Sequence, residues 1–307
     1  MERAVMIRAS RLSGVMLLAT VLVAGAAHAA PVSIANLVVT EGGATWFFPD
    51  VGAPGPLANV VNVRDASLAP TVPATCVQTN FTAALCDAFD GFWHLTVGGL
   101  LVRPGPSGDQ VTDAAGTTVT TATTTVAGLN VTLQFFMSHD LPVIRVLVTL
   151  ENPGQSDVTV QVGLSGNLGS DDDTTVEASS SGDAGLTDVD RWVITSDGPM
   201  ASDPVVGTVF FGPGDPAVRS RGAGFADLDN VVVSYRVRVP PGATRHLMVF
   251  SQLSANPTAA AAAIATFDTN QALTASGLLS GLNAAAQALI VNWTLGFPPV
   301  CADRAGC

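Results

Sequence analysis

The chain has 307 residues, 48% of them hydrophobic and 12% charged, with 13 basic against 25 acidic residues and a formal net charge of −12. It contains no Lys, so every fixed cation is an Arg. Nucleic-acid binding needs a dense row of cations to neutralise phosphates, and so acidic a chain is not expected to do this.

Residues 1–30 read as a secretory signal peptide. Arg3, Arg8 and Arg11 make a basic start, "GVMLLATVLVAGA" is a short apolar run, and "AHA" at Ala27 to Ala29 has the small-x-small form of a cleavage site. The run is shorter than the roughly 20 residues of a spanning helix. No membrane span is therefore expected after cleavage, and the protein is expected to be secreted, to the periplasm or beyond. Abundant Ala, Gly, Val, Thr and Asp, with Arg but no Lys, fit the codon bias of a GC-rich bacterium.

The cysteines fall into two local pairs, Cys76 with Cys86 and Cys301 with Cys307. Export permits disulfides, and closeness in sequence favours a bridge within each pair, although four cysteines allow three connectivities. After Cys86, "CDAFDGFWHLTVGG" gathers Asp87, Asp90, Trp93 and His94. An aromatic face beside carboxylates that accept from hydroxyls suits a sugar, which makes these four candidate ligand residues. In a strand, Phe92 and His94 face one side and Trp93 and Leu95 the other. That alternation places the Trp93 ring in a core, and Asp90-Gly91 is turn chemistry.

From residue 31 to residue 255 the pattern is β throughout. Period-two alternation rich in β-branched residues runs through "TTVTTATTTV", "LNVTLQFFM", "VIRVLVTLE", "VTVQVGLSG" and "VVVSYRVRV". Gly- and Pro-rich turns separate the runs. "ENPGQSDVTV" and "VRVPPGATRHLMVF" are expected to be hairpins. Many strands with no helix between them predict antiparallel sheets packed face to face.

The stretch "SGNLGSDDDTTVEASSSGD" concentrates Asp171, Asp172, Asp173, Glu177 and Asp183. Calcium takes six to eight oxygens, and a loop of carboxylates and hydroxyls supplies them, so these five are candidate metal ligands and calcium the candidate cofactor. Their spacing is not that of an EF-hand loop, and a solvated turn guarding a sheet edge is the first reading of the stretch, ahead of calcium and of a sugar or other ligand.

After Asn256 the composition changes. "NPTAAAAAIATFDT" has an Asn cap, a Pro at the first helical position and then Ala, and "GLLSGLNAAAQALIVNW" carries apolar residues at near-helical spacing. A helical pair and a disulfide-closed tail, residues 256–307, are expected to pack on the β body as part of one domain. Sequons occur at Asn80, Asn130 and Asn292; in a Thr-rich bacterial chain they arise by chance.

The stretch "GLNVTLQFFMSHDLPVIRVLVTLENPGQSDVTVQVGLSGNLGSD", with its strand leading into "VIRVLVTLENPG", resembles the large supersandwich of the galactose-mutarotase-like superfamily. Segments of the "NLGSD…SSGD" and "DAFDGF" kind are also similar to those of secreted bacterial proteins. The first resemblance implies a mostly β fold, a large antiparallel β-sandwich with a short C-terminal helical pair, of a type found in secreted sugar-active enzymes. Mutarotases work with His and Glu in a cleft, and no family motif here assigns such roles to His94, His139 or His246. There is no G-x-S-x-G, HExxH or P-loop. The sequence points first to a secreted, non-catalytic protein that binds carbohydrate or a cell-surface polymer, stabilised by calcium. Its alternative is a sugar-active enzyme of the supersandwich type, an epimerase, lyase or hydrolase relative.

Overall fold

A computed structural model describes residues 29–34, 37–48, 64–67, 88–89, 91–168, 170, 173–198, 203–227 and 229–295. The segment before residue 29, which the sequence reads as a signal peptide, all four cysteines, Asn80, Asp87, Asp90, Asp171 and Asp172 lie outside them.

The early strands are β1 (Ala30–Ser33), β2 (Leu37–Glu41), β3 (Ala44–Phe48), β4 (Arg64–Ser67), β5 (Gly91–Val97) and β6 (Leu100–Leu101). Next come β7 (Ser107–Asp113), β8 (Gly116–Thr121), β9 (Thr124–Val126), β10 (Leu129–Ser138), β11 (Val143–Glu151) and β12 (Val158–Asn167). The last are β13 (Thr175–Ser179), β14 (Trp192–Ser196), β15 (Val205–Val209), β16 (Arg221–Phe225), β17 (Asn230–Val239) and β18 (Thr244–Ser254). They form a ten-stranded sheet ordered β1-β7-β8-β10-β11-β18-β15-β14-β13 with β9 beside β10, a five-stranded sheet ordered β16-β17-β12-β5-β6, and a three-stranded sheet β2-β3-β4. Among the described residues, every pairing between these strands is antiparallel. The architecture is the mostly β sandwich that the alternation predicts.

The five-stranded sheet obeys the two-residue period. Val160, Val162 and Leu164 of β12 and Val231, Val233, Tyr235, Val237 and Val239 of β17 point inward, and the residues between them face out. Their inward faces meet Leu133, Phe135, Val146, Val148 and Val249 of the large sheet, while Trp46 and Phe48 close one flank. Phe48 meets Phe135 edge to face at 5.3 Å. The Tyr235 hydroxyl, carried into this core, donates to the Phe210 carbonyl at 2.8 Å, so its burial leaves no orphaned donor.

β11 and β18 are different. "VIRVLVTL" and "HLMVFSQLS" are buried on both faces, as near-continuous apolar runs should be. The second face is covered by the C-terminal segment. There the structure departs from the expected helical pair: three short helices, α1 (Pro257–Ile264), α2 (Asn270–Ala275) and α3 (Ala284–Ala288), are broken by a 3-10 turn at Ala265–Phe267 and by turns at Gly277 and Gly281. The cause is repeated capping. The side chains of Asn256, Thr269 and Asn283 each accept from the backbone N–H three residues on, at 2.9–3.0 Å, and each starts a new helix. Phe267 and Trp293 land on Phe250, with ring centroids 4.9 and 5.4 Å apart. Such aromatic pairs contribute about 0.5–1.5 kcal/mol each beyond their buried area.

Neither predicted hairpin is one. β11 and β12 lie in different sheets, as do β17 and β18, so both turns are arches that carry the chain across the sandwich. Asn152 binds the two arches together. Its Nδ2 donates to Ser156 O and Val239 O, its Oδ1 accepts from Gly154 N, and its backbone pairs with Gly242 and Ala243. Pro and Gly specify that the chain reverses; the sheet that the next strand joins depends on partners distant in sequence.

Candidate ligand-binding face

The outward face of the five-stranded sheet is built by alternation. β12 presents Thr159, Gln161, Gly163, Ser165 and Asn167, all exposed or half-exposed and all hydrogen-bonding or glycine. Register sets Thr96 opposite Gly163 and His94 opposite Ser165 on one side, and Ser234 opposite Gly163 and Arg236 opposite Gln161 on the other. Gly163 keeps the floor low, since a Cβ there would come within 2.5 Å of the Thr96 hydroxyl. Beyond β17, Arg221 of β16 pairs with Ser234. Thr159, Gln161, Arg221, Ser234 and Arg236 line an open depression of about 380 Å³ on this face.

Of the sequence-predicted ligand residues, His94 stands half-buried on this face. Trp93 is 4% exposed, its ring among the core side chains, so it offers no stacking surface to a ligand. Asp87 and Asp90 lie outside the described residues. Sequence reasoning passed over Gln161, Arg221 and Arg236. The outward placing of Arg236 was legible in "VSYRVRV", where Arg236 and Arg238 alternate with inward residues, and that of Gln161 in "VTVQVGLSG". Arg238 is held by Asp157, with Nε and Nη2 donating to Oδ2 at 3.1 and 2.5 Å.

The acidic stretch does not converge in its described part. The Glu177 carboxylate accepts from Ser196 Oγ at 2.5 Å across β13 and β14. Asp183 accepts from Ser179 Oγ and Gly185 N within its own turn, each at 3.1 Å. Nearby Asp190, which the sequence did not single out, is fully buried and takes Ser181 N and both the N–H and hydroxyl of Thr187. Burial alone would raise its pKa; the hydrogen bonds from Thr187 and Ser181 outweigh that and hold it below the usual value. Asp173 lies in the preceding turn, its backbone N–H donating to Ser170 O. Among the described residues, no three His, Cys, Asp or Glu side chains gather closely enough to hold a metal ion.

Three further polar constellations lie elsewhere. At one end of the sandwich, Glu41 accepts from Thr117 Oγ1 at 2.7 Å and meets His139 Nδ1 at 3.0 Å. The His139 side chain is 63% exposed, and its hydrogen bond and charge interaction with Glu41 raise its pKa. Gly42, at φ +60° in the β2–β3 turn, lets this corner sit on the Leu141 carbonyl, where any Cβ would overlap.

Under the C-terminal cap, fully buried Arg145 donates from Nη1 to Leu278 O at 2.6 Å and Ser280 O at 3.0 Å, and from Nη2 to Gln134 Oε1 at 3.1 Å. Its guanidinium also stacks over Phe136 at 4.8 Å. Burial without a carboxylate lowers its pKa to about 9, which still leaves it protonated at neutral pH. His246, also buried, is lowered to about 4 by desolvation and shares a 3.0 Å hydrogen bond with Thr149.

Last, an apolar cleft of about 400 Å³ beside α1 is lined by Leu141, Pro142, Leu253, Ala259, Ala263 and Phe267, and no ionisable group reaches it. No helix among the described residues is long and apolar enough to cross a membrane.

No protein-family model matches this chain, and no curated protein matches it. Among solved structures, it resembles at the level of fold a protein of Klebsiella pneumoniae assigned as an aldose 1-epimerase (9% identity, TM-score 0.40, covering 86% of each chain). It also resembles a galactose mutarotase-like protein of Lactobacillus casei (9%, TM-score 0.39, 71% of this chain and 99% of the other). A third is an α-galactosidase of Geobacillus stearothermophilus (12%, TM-score 0.41, 71% of this chain and 39% of the enzyme). The chain thus spans well under half of that enzyme. At these TM-scores the likenesses give this chain neither an activity nor a substrate.

Proposed function

We propose that the protein is exported and recognises carbohydrate, holding a sugar polymer or cell-surface glycan on the open face of its five-stranded sheet. The observation that carries this reading is the outward row of β12, from Thr159 through Gln161, Gly163 and Ser165 to Asn167, flanked by Thr96, His94 and Ser234. It is a run of neutral donors and acceptors over a glycine floor. Sugars present hydroxyls that such groups can both donate to and accept from. No aromatic platform is needed, since recognition is by hydrogen bonds along the strand.

The experiment is a binding screen of the full exported chain against soluble and insoluble polysaccharides. A Thr159→Ala/Gln161→Ala variant is expected to lose retention on whatever the native protein binds, with its thermal midpoint unchanged. Unchanged retention would move the site elsewhere. Recovery of a chain shortened by about thirty residues from outside the cytoplasm checks export.

One observation favours a second reading, a sugar-active enzyme. His139 and Glu41, with Thr117 behind them, are a hydrogen-bonded His–carboxylate pair at one end of the sandwich, components that general acid–base chemistry on a sugar can use. Loss of a measured epimerase, lyase or hydrolase activity in His139→Ala would support it; an active His139→Ala protein would end it.

A further inference from the structure

We infer that the polymer taken by this face is anionic, a polysaccharide bearing carboxylate or sulfate groups, and that Arg221 and Arg236 are the residues that hold its charges. The inference rests on the reading of the face given above and names its ligand class.

Most described arginines have a protein acceptor. Arg191 has Asp268, Arg219 has Asp215, Arg238 has Asp157, Arg145 has two carbonyls and an amide, and Arg245 has the Thr244 carbonyl. The guanidinium groups of Arg221 and Arg236 make no hydrogen bond or ion pair with any described residue, although the Arg221 carbonyl accepts from Ser234 Oγ at 2.6 Å, in a chain where acidic residues outnumber basic ones 25 to 13. They are also neighbours. Arg221 lies opposite Ser234, and Arg236 is two residues along the same face, so the pair sits on a diagonal. Diagonal positions on adjacent strands are about 7–8 Å apart, within joint reach of long side chains. Both line the same depression as Gln161, Thr159 and Ser234. Two like charges kept side by side repel; an anion between them relieves that repulsion and accepts charge-assisted, fork-shaped hydrogen bonds from the guanidinium planes. The neutral groups around them fit the hydroxyls of the same sugar units.

The class of polymer follows from charge density and surface chemistry. Duplex DNA carries a charge every ~1.7 Å and is held by many cations at once, whereas here two stand on a protein of net charge −12. A protein partner would call for buried aromatic or aliphatic anchors, and the central strand of this face presents none. Sparse charge on a hydroxyl-rich chain matches a uronate or sulfated polysaccharide.

The test is titration of the full exported chain with polygalacturonate, alginate and dextran sulfate, with neutral dextran and amylose for comparison, and with duplex DNA and phosphatidylglycerol vesicles as other anions. Arg221→Gln/Arg236→Gln is compared with Arg219→Gln, which removes a surface charge elsewhere. The expected result is binding to at least one anionic polysaccharide that weakens about tenfold or more in the double variant and is unchanged in Arg219→Gln. With two contacts, the affinity should fall with salt at a log–log slope of about −1.4 to −1.8, if each arginine releases counterions as a phosphate-contacting residue does. Equal binding of neutral and anionic polysaccharides, untouched by the double variant but weakened by Thr159→Ala/Gln161→Ala, would overturn the inference and leave the carbohydrate face standing. Binding to none of the polysaccharides would overturn both. Tighter binding to DNA or vesicles than to any polysaccharide, lost in the double variant, would overturn the polysaccharide assignment.

Discussion

Arg145 lies beneath the C-terminal cap with both Nη atoms donating to protein oxygens, whereas Arg236, on the far sheet, lies open and donates to none. Each interrupts a Val-rich strand, and a glance at "VIRVLV" and "SYRVRV" does not separate them. What separates them is the second face of their strand. β11 is covered by residues that follow β18, so any polar group pointing there must find its partners within the chain or destabilise the fold. β17 has one covered face, and what points the other way is unconstrained by the core. The two arginines teach that a polar side chain serves the fold where the protein supplies its acceptors, and is available to a ligand where it does not. His246 and Asn292 belong with Arg145: Asn292 donates to Phe210 O and Met248 O and accepts from Met248 N. Its sequon is thereby sealed inside the protein.

If this division is right, changes under the cap should alter stability and changes on the open face should not. The largest effect is expected from Arg145→Met, which leaves two carbonyls and an amide oxygen without a donor; a loss of about 3 kcal/mol should appear as a lower denaturant midpoint at constant slope. A loss below about 1 kcal/mol would remove Arg145 from the structural class. Acidification comes next. His246 is held neutral with its folded pKa lowered to about 4, so between that pH and its ordinary value near 6.5 the unfolded chain binds a proton that the folded one does not. Stability is therefore fully present above about pH 6.5 and falls as pH drops towards 4, by up to about 3 kcal/mol. His246→Gln should flatten that part of the curve, and an unchanged pH profile would count against its burial. Asn292→Ala, with three lost hydrogen bonds to β18 and its neighbour, is expected to cost about 2 kcal/mol. At the bottom of the scale, Arg221→Gln and Arg236→Gln should each stay within about 0.5 kcal/mol of the parent. A larger change in thermal unfolding would mean that the open face has a structural duty after all.

Alternation in "VTVQVGLSG" and "VVVSYRVRV" was enough to place every outward residue of β12 and β17, because one face of those strands is solvated and the period is unbroken. It also placed Trp93 inward and His94 outward. The covering of the large sheet was harder to read. "VIRVLVTL" announces a strand buried on both sides, yet nothing local says that carbonyls of Leu278 and Ser280 arrive to cap Arg145. The C-terminal stretch looked like two helices because Ala-rich composition reports propensity, while the breaks come from single capping residues and two glycines at positive φ. The arches carry hairpin signals for a similar reason: turn chemistry is local and sheet membership is not. At the candidate face, the carboxylates and the aromatic of "CDAFDGFWH" are conspicuous in the sequence, whereas the arginines gain their significance from forming no ion pair with a described acid, which is a property of the folded surface.

The seam at the centre of the large sheet has a kinetic consequence. β11 pairs along its whole length with β18, Val148 against Leu247, although six strands, β12 to β17, lie between them in sequence. Pairings between such distant segments form slowly, because a long loop must close before any contact is made. Until β18 emerges and docks, β11 presents an unpaired, apolar edge of the kind that recruits other chains. A nascent or truncated chain ending before Thr244 should accordingly be held back by holding chaperones or aggregate, and the rate-limiting event in refolding should be the closure of this one seam.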